Sequence, residues 1–74
     1  MNDKEALLLI GKNIQRLRNA KNIKQYQLAA MCNFEKANLS RIESGKTNAT
    51  MLTIQKIATV LEIPMRDLFV DSSN

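Results

Sequence analysis

The stretch QYQLAAMCNFEKANLSRIESGK, residues 25–46, decides the fold. Its apolar residues form two short sets, Leu28, Ala29 and Cys32, then Leu39 and Ile42, each at the spacing of one helical face. Only Asn33, Phe34 and Glu35 separate the two helices this predicts, near 25–32 and 36–44. Asn33 suits a helix end in the left-handed conformation, because its short polar side chain tolerates positive φ. Such a turn makes the helices cross steeply, and a tight crossing needs a small residue on the inner face of the first helix. Ala29 supplies it, Phe34 plugs the turn, and Leu39 with Ile42 closes the far side.

Two short helices meeting in this way make a helix-turn-helix. Toward the N-terminus, Leu7, Ile10, Ile14 and Leu17 repeat along one helical face, and Asn2 or Asp3 can cap the helix, which should run from about Lys4 to Ala20. Toward the C-terminus, Gly45 serves as a helix stop with positive φ, and Thr50 caps a fourth helix carrying Met51, Ile54, Ile57, Ala58 and Leu61. Met65, Leu68 and Phe69 form a last cluster beginning at Pro64, where proline is tolerated in a first helical turn. With glycine only at 11 and 45, and no β-branched alternation, the expected fold is all-α. It should be a compact five-helix bundle with short middle helices, one domain over 1–74 with a core of about 4–70 and a frayed tail at 71–74.

Composition narrows the function. Seventy-four residues bury only roughly 60% of the unfolded surface, so the core must be small and well packed, with only Tyr26, Phe34 and Phe69 as aromatics. There is no His and a single Cys, which excludes an intramolecular disulfide, a Cys/His zinc site and any catalysis that needs His. Cys32 reads as a small apolar core side chain. Neither a cofactor nor a metal is expected. The apolar run Ala6 to Ile10 is far short of a signal core or of the roughly 20 residues that span a bilayer. A cytoplasmic protein with no membrane partner follows.

The formal net charge is +4, and its distribution says more than the total. Between Lys12 and Lys46, eight Lys or Arg oppose two Glu, a net +6, whereas the flanks hold three against five acidic residues, a net −2. An anionic partner is implied for the central stretch.

The pattern from Gln25 through Leu28, Ala29, Asn33, Leu39 and Ile42 resembles the Xre-like family of phage repressors and Cro proteins. The likeness extends to Ile14, Leu17 and Arg18 in the first helix, to Glu43, Ser44, Gly45 and Lys46 after the third, and to Ile54, Ala58 and Leu61 through Leu68. It covers about Ile10 to Phe69. Departures are Asn33 and Glu62 where the family commonly has Gly, Lys24 and Glu35 where it has Ser or Thr caps, and Ala49 in place of a common Pro.

The resemblance implies a sequence-specific DNA-binding regulator whose recognition helix, 36–44, enters the major groove and presents Lys36, Ala37, Asn38 and Arg41 to base edges. Arg41 can bond guanine with two donors, Lys36 can reach the same acceptors, Ala37 can meet a thymine methyl, and Asn38 can pair with adenine or touch a phosphate. Glu35 lies beside this set. Gln25 takes the family's place of a phosphate holder through its backbone and side-chain amides. Lys24, Tyr26, Ser40, Ser44, Lys46, Thr47 and Asn48 are further backbone contacts, which give register but no sequence information. If about four to six phosphates are neutralised per dimer, log affinity falls with log salt at a slope of roughly −4 to −5. Arg18 and Glu43 match the ion pair that braces the recognition helix.

Operators of this family are two-fold related, which requires a homodimer. At about 100° per residue, Leu52 falls opposite the core stripe of the fourth helix and Val60 on its flank, while Phe69 and Val70 follow the last helix. These four are the candidate dimer seam. The competing expectation is a protein-interaction module, such as an antitoxin, using the same helices to hold a toxin or a polymerase subunit. An enzyme is not expected, because no nucleophile and base can be named. No small-molecule ligand is expected either, for want of a second domain to house it.

Overall fold

The computed structural model describes residues 1–71. Its elements are α1 (Asp3–Ala20), α2 (Gln25–Met31), α3 (Lys36–Glu43), α4 (Met51–Leu61) and a closing 3₁₀ helix (Met65–Phe69), with no strand among the described residues. Asn2 caps α1: its Oδ1 accepts from the Glu5 N–H at 2.8 Å while Glu5 Oε1 accepts from the Asn2 N–H at 3.4 Å. Thr50 Oγ1 accepts from the Thr53 N–H at 3.2 Å to start α4. Lys24 has no capping side chain, and Gln27 compensates by accepting the Lys24 N–H at 2.8 Å.

All four α-helices end by one device. Asn22, Asn33, Gly45 and Glu62 take φ of 58°, 59°, 72° and 58°. In each case the next N–H reaches back five residues, Ile23 to Arg18, Phe34 to Ala29, Lys46 to Arg41 and Ile63 to Ala58, at 2.8–3.1 Å. A left-handed residue satisfies the last helical carbonyls in this way and turns the chain sharply. Asn33 and Gly45 adopt the conformation expected of them. Glu62 adopts it without the glycine that would do so freely, and Asn22 adds a fourth instance that the sequence reading passed over.

The core is built from one or more residues of every element: Ile14 on α1, Leu28, Ala29 and then Cys32 at the end of α2, Leu39 and Ile42 on α3, Ile54, Ile57, Ala58 and Leu61 on α4, and Leu68. Each large aliphatic side chain among them contributes roughly 1.5–3 kcal/mol on removal from water. Burial pushes the Cys32 thiol above its ordinary pKa, with nearby Lys56 opposing the shift. Phe34 packs partly buried against this core, and Lys56 Nζ lies 5.6 Å from its ring centre.

The expected fifth α-helix is instead a short 3₁₀ helix. Pro64 does not enter its first turn but precedes it in extended conformation (φ −63°, ψ 141°), and its carbonyl accepts the Asp67 N–H at 3.0 Å in three-residue closure. The end of the 3₁₀ helix is tied to α1. Buried Asn13 donates through Nδ2 to the carbonyls of Leu68 and Val70, both at 2.9 Å. Those carbonyls are thereby drawn to α1, and the chain is extended again at Val70. Of the expected frayed tail, residues 72–74 lie outside the described residues.

Candidate nucleic-acid interface

Helix α3 has two unlike sides. Leu39, Ile42 and Glu43 are buried, whereas Lys36, Ala37, Ser40 and Arg41 are exposed, as is Ser44 just past the helix, with Asn38 half-buried between. Residues four apart on a helix lie one above the other, so the exposed set forms two neighbouring rows, Lys36, Ser40 and Ser44 beside Ala37 and Arg41. Glu35 is exposed at its start.

The buried end of α3 is clamped by α1. Arg18 donates from Nε to Glu43 Oε2 at 2.9 Å and from Nη2 to Glu43 Oε1 at 3.0 Å, a two-pronged ion pair with side-chain exposures of 11% and 2%. Arg18 Nη1 also donates to the Ile23 carbonyl at 2.9 Å and to Asn19 Oδ1 at 3.3 Å. Gln15 Nε2 donates to the Glu43 backbone carbonyl at 3.0 Å. Between these contacts Gly11 lets the two backbones touch: a Cβ there would overlap the Glu43 carbonyl oxygen and lie 2.8 Å from that of Ile42. Gly11 and Gln15 were not singled out from sequence. An isolated glycine within a helical pattern was the available signal for the first; Gln15 carried none.

Helix α2 begins beside the same carboxylate. Gln25 Nε2 donates to Glu43 Oε1 at 3.0 Å, which joins the phosphate candidate to the ion pair. Lys24, Tyr26, Lys46 and Asn48 are exposed and Thr47 is half-buried. The Ser44 hydroxyl turns back on its own helix, donating toward the carbonyls of Ser40 at 2.9 Å and Arg41 at 3.2 Å, so its hydrogen is already engaged. Of the four seam candidates, Leu52 is 77% exposed, Phe69 and Val70 are exposed, and Val60 is half-buried against the core. Met51, next to Leu52, adds an exposed apolar side chain that the sequence reading left out. No helix among the described residues is long and apolar enough to cross a membrane.

The helix-turn-helix family model matches residues 14–68. The chain is 34% identical over 55 residues to the uncharacterized HTH-type transcriptional regulator y4dJ of Sinorhizobium fredii, covering 74% of this chain and 71% of that one. It is 32% identical over 62 residues to control protein C.MunI of a Mycoplasma species, covering 82% and 84%. Among solved structures, the restriction-modification controller protein C.AhdI of Aeromonas hydrophila superposes with a TM-score of 0.82 at 33% identity, over 85% of this chain and 96% of that chain.

Proposed function

The chain belongs to the helix-turn-helix family of DNA-binding transcriptional regulators, and from that premise we propose that it binds a two-fold related operator as a homodimer with α3 in the major groove. The observation that carries the reading is the exposed set Lys36, Ala37, Ser40 and Arg41 on a helix whose opposite side is clamped to α1. Arg41 and Lys36 read guanine acceptors, Ala37 meets a thymine methyl, and Asn38 serves an adenine or a phosphate. Gln25, Lys24, Tyr26, Ser40, Lys46, Thr47 and Asn48 grip the backbone. Ser44, its hydroxyl hydrogen turned inward, is the weakest of the phosphate candidates.

The protein acts in the cytoplasm by occupancy of double-stranded DNA rather than by catalysis. The likeness to C.MunI and C.AhdI supports a regulator of the restriction-modification control type. Dimerisation uses Leu52, Phe69 and Val70, with Val60 supporting the seam from the core side. The test is selection of bound duplexes from a random pool. Enrichment of a palindrome with half-sites about one helical turn apart is expected; enrichment of none overturns the reading and leaves the protein-interaction role.

A further inference from the structure

We propose that Glu43 is a positioning residue for the DNA backbone contact: its carboxylate orients the Gln25 side-chain amide so that one N–H is held inside and the second, on the same nitrogen, is presented to a phosphate. This rests on the operator-binding reading above. A carboxylate only accepts hydrogen bonds, and so does a phosphate oxygen, whereas the amide nitrogen of Gln carries two hydrogens. Glu43 Oε1, 2% exposed as a side chain, takes one of them at 3.0 Å. Gln25 is half-buried, so part of the residue meets solvent.

An unrestrained Gln turns its oxygen or its nitrogen outward with little preference, and the oxygen-out state repels a phosphate. Glu43 removes that state. The carboxylate does not need Gln25 to be satisfied, because Arg18 already bonds both of its oxygens. Arg18 in turn neutralises a negative charge that would otherwise sit behind a phosphate. Glu43 thus links three functions in one residue: its backbone carbonyl fixes α3 to α1 through Gln15, its carboxylate holds Arg18, and its third side-chain bond sets Gln25.

The experiment uses the duplex selected from the random pool and four full-length proteins: wild type, Q25A, E43Q and Q25A/E43Q. Each single variant is expected to bind about tenfold more weakly, the size of one charge-assisted hydrogen bond, and the double variant no more weakly than either. Replacing single phosphates by neutral methylphosphonate should identify one position at which Q25A and E43Q lose nothing relative to wild type, while R41A keeps its full loss there. Additive losses, or an E43Q loss equal on every methylphosphonate duplex, overturn the positioning role and leave Glu43 as a brace alone. If E43Q fails to fold because Arg18 is left unpaired, R18M/E43L removes both charges and the acceptor together and carries the same comparison. A wild-type chain that enriches no duplex overturns the operator reading and this proposal with it.

Discussion

Gly11→Ala sets helix propensity against packing with opposite signs. Gly11 lies in the middle of α1, where alanine is favoured by about 1 kcal/mol. The alanine Cβ, however, would overlap the Glu43 carbonyl oxygen and stand 2.7 Å from its carbon and 2.8 Å from the Ile42 oxygen. Ordinary contact begins at 3.4 Å, so α1 and the end of α3 must part by more than half an ångström. The obstructing atoms are backbone, and no rotamer change relieves them. Separation stretches the 3.0 Å bond from Gln15 to Glu43 and shifts Arg18 against its carboxylate. Overpacking costs about 1–3 kcal/mol and the weakened hydrogen bond about 1 kcal/mol. Less the propensity gain, the net loss is about 2 kcal/mol, or a melting temperature lower by roughly 8–16 °C in a domain of this size. Circular-dichroism melts and urea midpoints of wild type, G11A and the exposed-site control K12A would measure it. A G11A protein as stable as wild type refutes the clamp.

Glu62→Gly should raise stability by about 1 kcal/mol, because glycine adopts φ near 58° without the Cβ penalty; an unchanged melting temperature contradicts that account. Lys36→Ala and Arg41→Ala should each weaken binding to the selected duplex by roughly 1–3 kcal/mol while leaving melting curves unchanged, as both side chains are exposed, and full-strength binding by both removes α3 from the groove. Leu52→Glu should shift sedimentation equilibrium toward monomer at least about tenfold by burying a charge in the seam, and an unaltered dimer moves the seam elsewhere.

What could be read from the sequence was local. Ala29, Asn33 and Gly45 report conformations fixed within a few residues, so the α2–turn–α3 unit and its stops were legible. Contacts between distant positions were not, apart from the Arg18–Glu43 pair, which came from the family resemblance and not from spacing. Asn13 reaches the Leu68 and Val70 carbonyls across 55 and 57 positions, and nothing near Met65–Phe69 announces that anchor. The meeting of Gln25 with Glu43 is of the same kind. Each residue was legible alone, but their contact depends on how steeply α2 and α3 cross, which side-chain spacing does not specify.

Charge shows how tertiary placement revises a sequence count. Of the +6 between Lys12 and Lys46, Arg18 and Glu43 cancel each other inside the fold. Lys12 and Arg16 line a groove with Glu5, Asp71 and the apolar Met1, Leu8 and Leu9, where acidic neighbours offset them. Lys21, Lys24, Lys36, Arg41 and Lys46 remain exposed against Glu35, a net +4 per protomer and +8 for a dimer. At roughly −0.9 per phosphate neutralised, full use of that charge gives a salt slope of about −7, and engagement of four to six phosphates gives about −4 to −5. A measured slope within this range is the one expected if these five cations on and beside α2 and α3 carry the phosphate contacts. A slope clearly steeper than about −7 requires cations beyond these five, drawn from the other exposed ones, Lys4, Lys12, Arg16, Lys56 and Arg66, and so a footprint wider than the face that carries α3.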